Sequence, residues 1–134
     1  MAAPLRLICA SAELLEGGSG VRFEYALDAD IQPAFAVRYN GIVHAYLNRC
    51  AHISVELDFN AGEFFDESGL FLVCATHGAM YEADTGACAG GPCAGKGLYK
   101  LSVLERDGNV YVVENKTLER AERKPWLSRK TGSD

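Results

Sequence analysis

Two short boxes, Cys50-Ala51-His52 and Cys74-Ala75-Thr76-His77, separated by 21 residues, constrain this chain more than any other feature. Each box places one thiol and one imidazole on a tight loop, so that its sulfur and nitrogen point the same way. Two such loops facing each other make a clamp with four donors, and any fold that uses them must bring distant stretches of chain to one place. Gly78, directly after His77, suits a backbone that has to turn without a Cβ in the way. Two chemistries use two sulfurs and two nitrogens. One is tetrahedral Zn2+, but common zinc fingers pair Cys with Cys and His with His, whereas each box here is mixed. The other is a diiron core in which one iron takes both sulfurs and the other both nitrogens. The mixed boxes favour the second.

Beyond His77 the chain reads Gly78-Ala79-Met80-Tyr81-Glu82-Ala83-Asp84-Thr85-Gly86, then Gly90-Gly91-Pro92. Together with the two boxes, this run resembles the Rieske 2Fe-2S family. There the second ligand box is followed by a glycine, an aromatic residue, an acidic turn ending in Thr-Gly or Ser-Gly, and a Gly-Pro loop covering the cluster. The resemblance spans about residues 5–114. It implies one 2Fe-2S cluster per chain, with Cys50 and Cys74 on the inner iron and His52 and His77 on the outer, more exposed iron. Replacing two anionic thiolates by neutral imidazoles favours the reduced state, at roughly −150 to +300 mV against about −400 mV for plant-type ferredoxins. High-potential members of respiratory cytochrome complexes carry an extra, disulfide-bonded cysteine in each ligand loop; here Val55 and Thr76 stand there. Those members also place a serine two residues after the second histidine and a tyrosine two further on, and here these are Ala79 and Tyr81. Losing the serine and the disulfide lowers the potential and keeping the tyrosine partly offsets that, so the resemblance implies the soluble ferredoxin-type branch.

At 134 residues, with 49% hydrophobic and 23% charged residues, the chain has room for one domain and its core but not for a second catalytic domain. No apolar run approaches the roughly 18 residues of a membrane span, so no membrane association is expected. The N-terminus, Met1 to Ala10, lacks the charged start and extended apolar stretch of a secretory signal, which reads as cytoplasmic. Residues 1–114 carry a net charge of −8 and residues 115–134 a net charge of +3. An acidic body argues against nucleic-acid binding and suits long-range attraction to a basic docking patch, although it also serves plain solubility. Of the remaining cysteines, Cys9 reads as a buried strand residue. Cys88 and Cys93, bracketing Ala89 to Pro92, are expected as two reduced thiols in a reducing compartment.

Short alternating segments between turn residues predict an all-β domain of antiparallel sheets, which the resemblance makes a Rieske-like fold with a small cluster-binding subdomain, about residues 48–97, on a β base. The expected division is a domain over 1–114 and a basic tail over 115–134. Strands are expected over Leu5–Ala10 and Val21–Tyr25. Ala34–Tyr39 and Ile42–Asn48 should pair across Asn40-Gly41, a tight-turn signature, with Cys50 following the second arm. A further hairpin is expected between Tyr99–Glu105 and Val110–Glu114, turned by Asp107-Gly108-Asn109. Between the boxes, Val55, Leu57 and Phe59 alternate with Ser54, Glu56 and Asp58 as in a strand with one buried face, and the apolar run Leu70–Val73 leads into Cys74. The tail reads as a loose terminus, with a short helix over Thr117–Lys124 as the alternative. His44 reads as a surface histidine without a redox role.

The functional expectation is a Rieske-type ferredoxin. It would take one electron from a flavin-dependent reductase and pass it to a terminal oxygenase or another redox enzyme, with no independent catalytic site of its own. The alternative is a small Rieske subunit of a permanent oxidoreductase complex, of the nitrite reductase or arsenite oxidase type. A Rieske scaffold that has lost its iron is disfavoured because all four donors are present.

Overall fold

The computed structural model describes residues 5–27, 30–49, 56–58, 62–75, 78–91, 96–114 and 119–122. Its centre is a hairpin. Strand β3 (Asp30–Tyr39) and β4 (Ile42–Leu47) run antiparallel in register from Tyr39↔Ile42 to Ala34↔Leu47. Asn40 and Gly41 both take positive φ, 56° and 79°, as the tight turn matching the twist of the flanking strands demands. Strand β2 (Val21–Leu27) pairs along the other side of β3, extending two residues beyond the expected segment.

Successive residues of the hairpin supply two cores. Ala34 and Ala36 of β3, with Val43, Ala45 and Leu47 of β4, point to one side. Phe35 and Val37, with Tyr46, point to the other. Burial on both faces explains why Ala34-Phe35-Ala36-Val37 is a continuous apolar run rather than an alternating one. The first core is closed by a three-stranded sheet in which β1 (Leu5–Ala10) and β9 (Val103–Arg106) flank β10 (Asn109–Val113). It buries Cys9, Val110 and Val112, so Cys9 is the strand residue that was expected. The second core is closed by a small sheet of β5 (Phe71–Val73), β6 (Met80–Glu82) and β7 (Cys88–Gly90), with Phe64 stacked on Phe35 at 3.9 Å. No helix is long and apolar enough to cross a membrane among the described residues.

Several expectations need correction. The second hairpin turns on Asp107-Gly108 alone, both at positive φ, with Asn109 already paired to Arg106. Its first arm is split at Ser102 into β8 (Lys96–Leu101), which joins the central sheet, and β9, which joins the other. Residues 56–58 form no strand, and Asp58 is buried alongside Leu57 because its carboxylate has polar partners inside. The tail is neither loose nor helical over 119–122: strand β11 (Glu119–Glu122) pairs antiparallel with β8, giving the central sheet the order β11-β8-β4-β3-β2. Cys88 is disulfide-bonded rather than a reduced thiol; that expectation rested on a presumed compartment, and Cys93 lies outside the described residues.

His44 is half-buried rather than fully at the surface, since its strand has sheet on both sides and Lys100 Nζ lies 3.4 Å from its Nδ1. Desolvation first, then the Lys100 charge, lowers its pKa from the ordinary 6.5, opposed by Asp84. A folded-state pKa below the unfolded one means the unfolded chain holds the proton more tightly. The His44 contribution to stability is therefore intact above pH 6.5 and declines as pH falls from there through the lowered folded value. Urea midpoints at pH 7.5 and 5.5, at roughly one unit either side of the histidine range, should fall for the wild type and fall less for His44→Gln.

Candidate metal centre

Of the four expected donors, the structure describes Cys74; Cys50, His52 and His77 lie outside the described residues. Cys74 follows β5 directly and is fully buried. Of the apolar run Leu70–Val73, Phe71–Val73 form the strand and Leu72 alone is fully buried, packing into the second core, while Leu70 is exposed; the strand ends where the ligand box begins.

The bases of both boxes are fixed by backbone and side-chain hydrogen bonds. In the second, Gly78 N donates to Cys74 O at 2.8 Å and Cys74 N to Ala79 O at 2.8 Å, closing a short loop between β5 and β6. Gly78 stands at φ 76°, so the glycine is required by the backbone conformation of that closure. In the first, Asn48 leaves β4 fully buried. Its Nδ2 donates to Asp58 Oδ1 at 3.0 Å, its Oδ1 accepts from Leu57 N at 2.8 Å, and its own N–H donates to Pro33 O at 2.8 Å. Asp58 Oδ2 accepts from Gly62 N at 2.9 Å and lies 3.3 Å from Arg22 Nε. These bonds bring residue 48 and residues 56–58, the two ends of the first loop, side by side. The two loops then meet directly, because Ala75 N, next to Cys74, donates to Leu57 O at 2.9 Å.

A third segment approaches from β7. A Cβ on Gly91 would come within 2.8 Å of Gly78 O and 3.0 Å of Ala79 Cα, so only glycine lets this strand end lie against the second loop. The acidic turn after β6 is braced from the central sheet: Tyr46 Oη donates to Ala83 O at 2.9 Å, and Lys100 Nζ donates to Asp84 O. Burial, reinforced by Asp84 and Glu82, pushes the Tyr46 phenol far up, so it serves as a neutral donor. Ala79 and Tyr81, at the positions singled out beside the second box, are both fully buried.

Among the described residues Cys74 alone of the four expected donors is present, its sulfur held in the interior, and no group of three or more candidate metal ligands occurs. Sequence reasoning missed Asn48, Asp58 and Arg22. The only signal was a polar residue ending an otherwise apolar strand at Asn48.

A family model described as Rieske [2Fe-2S] domain matches residues 6–106. No curated protein matches the sequence. Among solved structures, the chain resembles the ferredoxin of carbazole 1,9a-dioxygenase from Nocardioides aromaticivorans IC177, with TM-score 0.66, 21% identity, and 84% of this chain and 99% of that one covered. It also resembles a ferredoxin of Sphingomonas yanoikuyae B1, with TM-score 0.65, 21% identity, and coverages of 83% and 99%. A chain in a complex of reduced oxygenase and oxidized ferredoxin of carbazole 1,9a-dioxygenase matches with TM-score 0.66, 24% identity, and coverages of 86% and 97%. At these identities the likeness concerns the fold.

Asn48→Ala should leave Leu57 N without its buried acceptor and Asp58 Oδ1 without its Asn48 donor, costing about 1–3 kcal/mol. Chemical denaturation checks the cost. Iron retained per chain after desalting should fall with it, while far-UV circular dichroism stays that of a β protein.

Proposed function

The chain belongs to the Rieske [2Fe-2S] domain family, and from that membership we propose that it is a Rieske-type ferredoxin, a one-electron carrier with one 2Fe-2S cluster. Cys50 and Cys74 would hold the inner iron, His52 and His77 the outer. When bound, the cluster supplies reversible one-electron chemistry. This chain's own residues join Ala75 to Leu57 beside the second box and keep Cys74 away from water.

The observation that carries this reading is the direct joining of the loop bearing Cys74 to the far end of the loop bearing Cys50, through Ala75 N and Leu57 O. A redox centre whose supports are held in place keeps reorganisation on electron transfer small. The likeness to two ferredoxin chains, each covered to 99%, is in keeping with a carrier. A terminal oxygenase is the proposed electron acceptor, in keeping with the oxygenase–ferredoxin complex among the neighbours, and a flavin-dependent reductase is the proposed donor. The proposed division of labour makes residues 48–97 the cluster-binding subdomain and the two larger sheets its base.

His77→Ala and Cys74→Ser should each abolish the native visible and EPR spectra of the reduced protein, with iron retention falling several-fold. His44→Gln should leave both spectra intact. An unchanged spectrum in His77→Ala would remove the ligand assignment. Stopped-flow mixing of the reduced carrier with an oxidised Rieske oxygenase should show rapid single-electron reoxidation that slows with added salt.

A further inference from the structure

Strand β11 lies beyond residue 114, outside the stretch that resembles the family, yet it pairs with the strand on which the cluster-side segment depends. Only Lys100 and Leu101 of β8 pair with β4. On the opposite edge β11 pairs more widely, with Glu119↔Lys100, Arg120↔Tyr99 and Glu122↔Lys96. The first half of β8 thus has β11 as its ladder partner among the described residues.

That half of β8 holds the turn after β6. Leu98 N donates to Gly86 O at 2.9 Å, and from the second half of the strand the exposed Lys100 side chain reaches Asp84 O through its Nζ. Gly86 is seated so closely that a Cβ there would lie 2.6 Å from the Tyr46 ring, and the Lys100 ammonium sits 5.6 Å from the same ring centroid. From this turn the chain runs through β7 to Gly91, which lies against Gly78 and Ala79 of the second ligand loop. A continuous set of contacts therefore leads from β11 through β8 and residues 84–86 to the loop bearing Cys74.

We propose that β11 is a positioning strap that holds β8 in place and, through Lys100 and Leu98, keeps the 84–91 segment seated on the second ligand loop. The proposal rests on the ferredoxin reading for its consequence, protection of the cluster, but not for its structural content. The strap acts through backbone pairing, which proline removes on the side its nitrogen faces. Neighbouring residues of a strand direct their N–H groups to opposite sides, so of Glu119→Pro and Arg120→Pro one breaks a bond to β8 and the other serves as its control.

Hydrogen–deuterium exchange on the full chain, with and without iron, reads the outcome. In the ladder-breaking variant, exchange at 96–99 and 84–88 should quicken about tenfold while β1, β2 and β10 keep their protection. Cluster loss to an iron chelator should quicken several-fold. Lys100→Met, which keeps the ladder, should quicken exchange at 84–87 and leave 96–99 unchanged. Unchanged exchange at 84–88 in both proline variants would overturn the proposal. So would a uniform loss of protection across all strands, because β11 would then be a general stabiliser. Failure of the ferredoxin reading would appear instead as an absent iron spectrum in the wild type, with the exchange pattern intact.

Discussion

Everything around Cys74 depends on how the segment between Asn48 and Glu56 is tied at its ends. Asn48 directly follows β4, and a segment free at its ends cannot hold a metal donor to a fixed position. Asn48 supplies the closure by acting as donor and acceptor at once, to Asp58 and to Leu57 N. Because the amide and its partners are fully desolvated, each bond resists loss more strongly than a surface bond would. Leu57 is then fixed on both sides, by its N–H to Asn48 and by its carbonyl to Ala75, and the second loop inherits its position from the first. Arg22 lies close to Asp58 and bonds Glu56, which ties the closure to β2 and hence to the central sheet.

The central sheet is suited to this task because it is buried on both faces. The base sheet covers one face, and the other carries the stacked Phe35 and Phe64 with Tyr46 and Leu98, on which the cluster-side strands rest. Small side chains at Ala34, Ala36 and Ala45 let the base sheet approach, while aromatic ones at Phe35 and Tyr46 span the wider gap opposite. The same phenol that fills that gap reaches Ala83 O, so packing and hydrogen bonding position the acidic turn together.

Much of this was legible in the sequence, for a physical reason. Local features such as Asn40-Gly41 announce themselves because positive φ is demanded by the turn and few residues accept it. The run ending at Cys74 was likewise readable as a strand because one element decides it. The missed features are long-range. Nothing within residues 54–59 says that Asp58 has Asn48, Gly62 and Arg22 waiting, so alternation alone assigned it to solvent. Residues 119–122 have the composition of a loose tail, and their strand exists because β8 offers an unpaired edge. His44 sits in the strand that was expected, but its half-burial comes from β8, a partner not visible from β4 alone.

The central claim is that two loops, joined through Leu57 and Ala75, hold an asymmetric diiron core with sulfur on one iron and nitrogen on the other. Mössbauer spectroscopy of iron-loaded protein before and after reduction tests it most directly. The account predicts two inequivalent iron sites in equal amounts, with a single added electron localised on the nitrogen-ligated one. Equivalent irons, or a colourless protein holding zinc in their place, would contradict it.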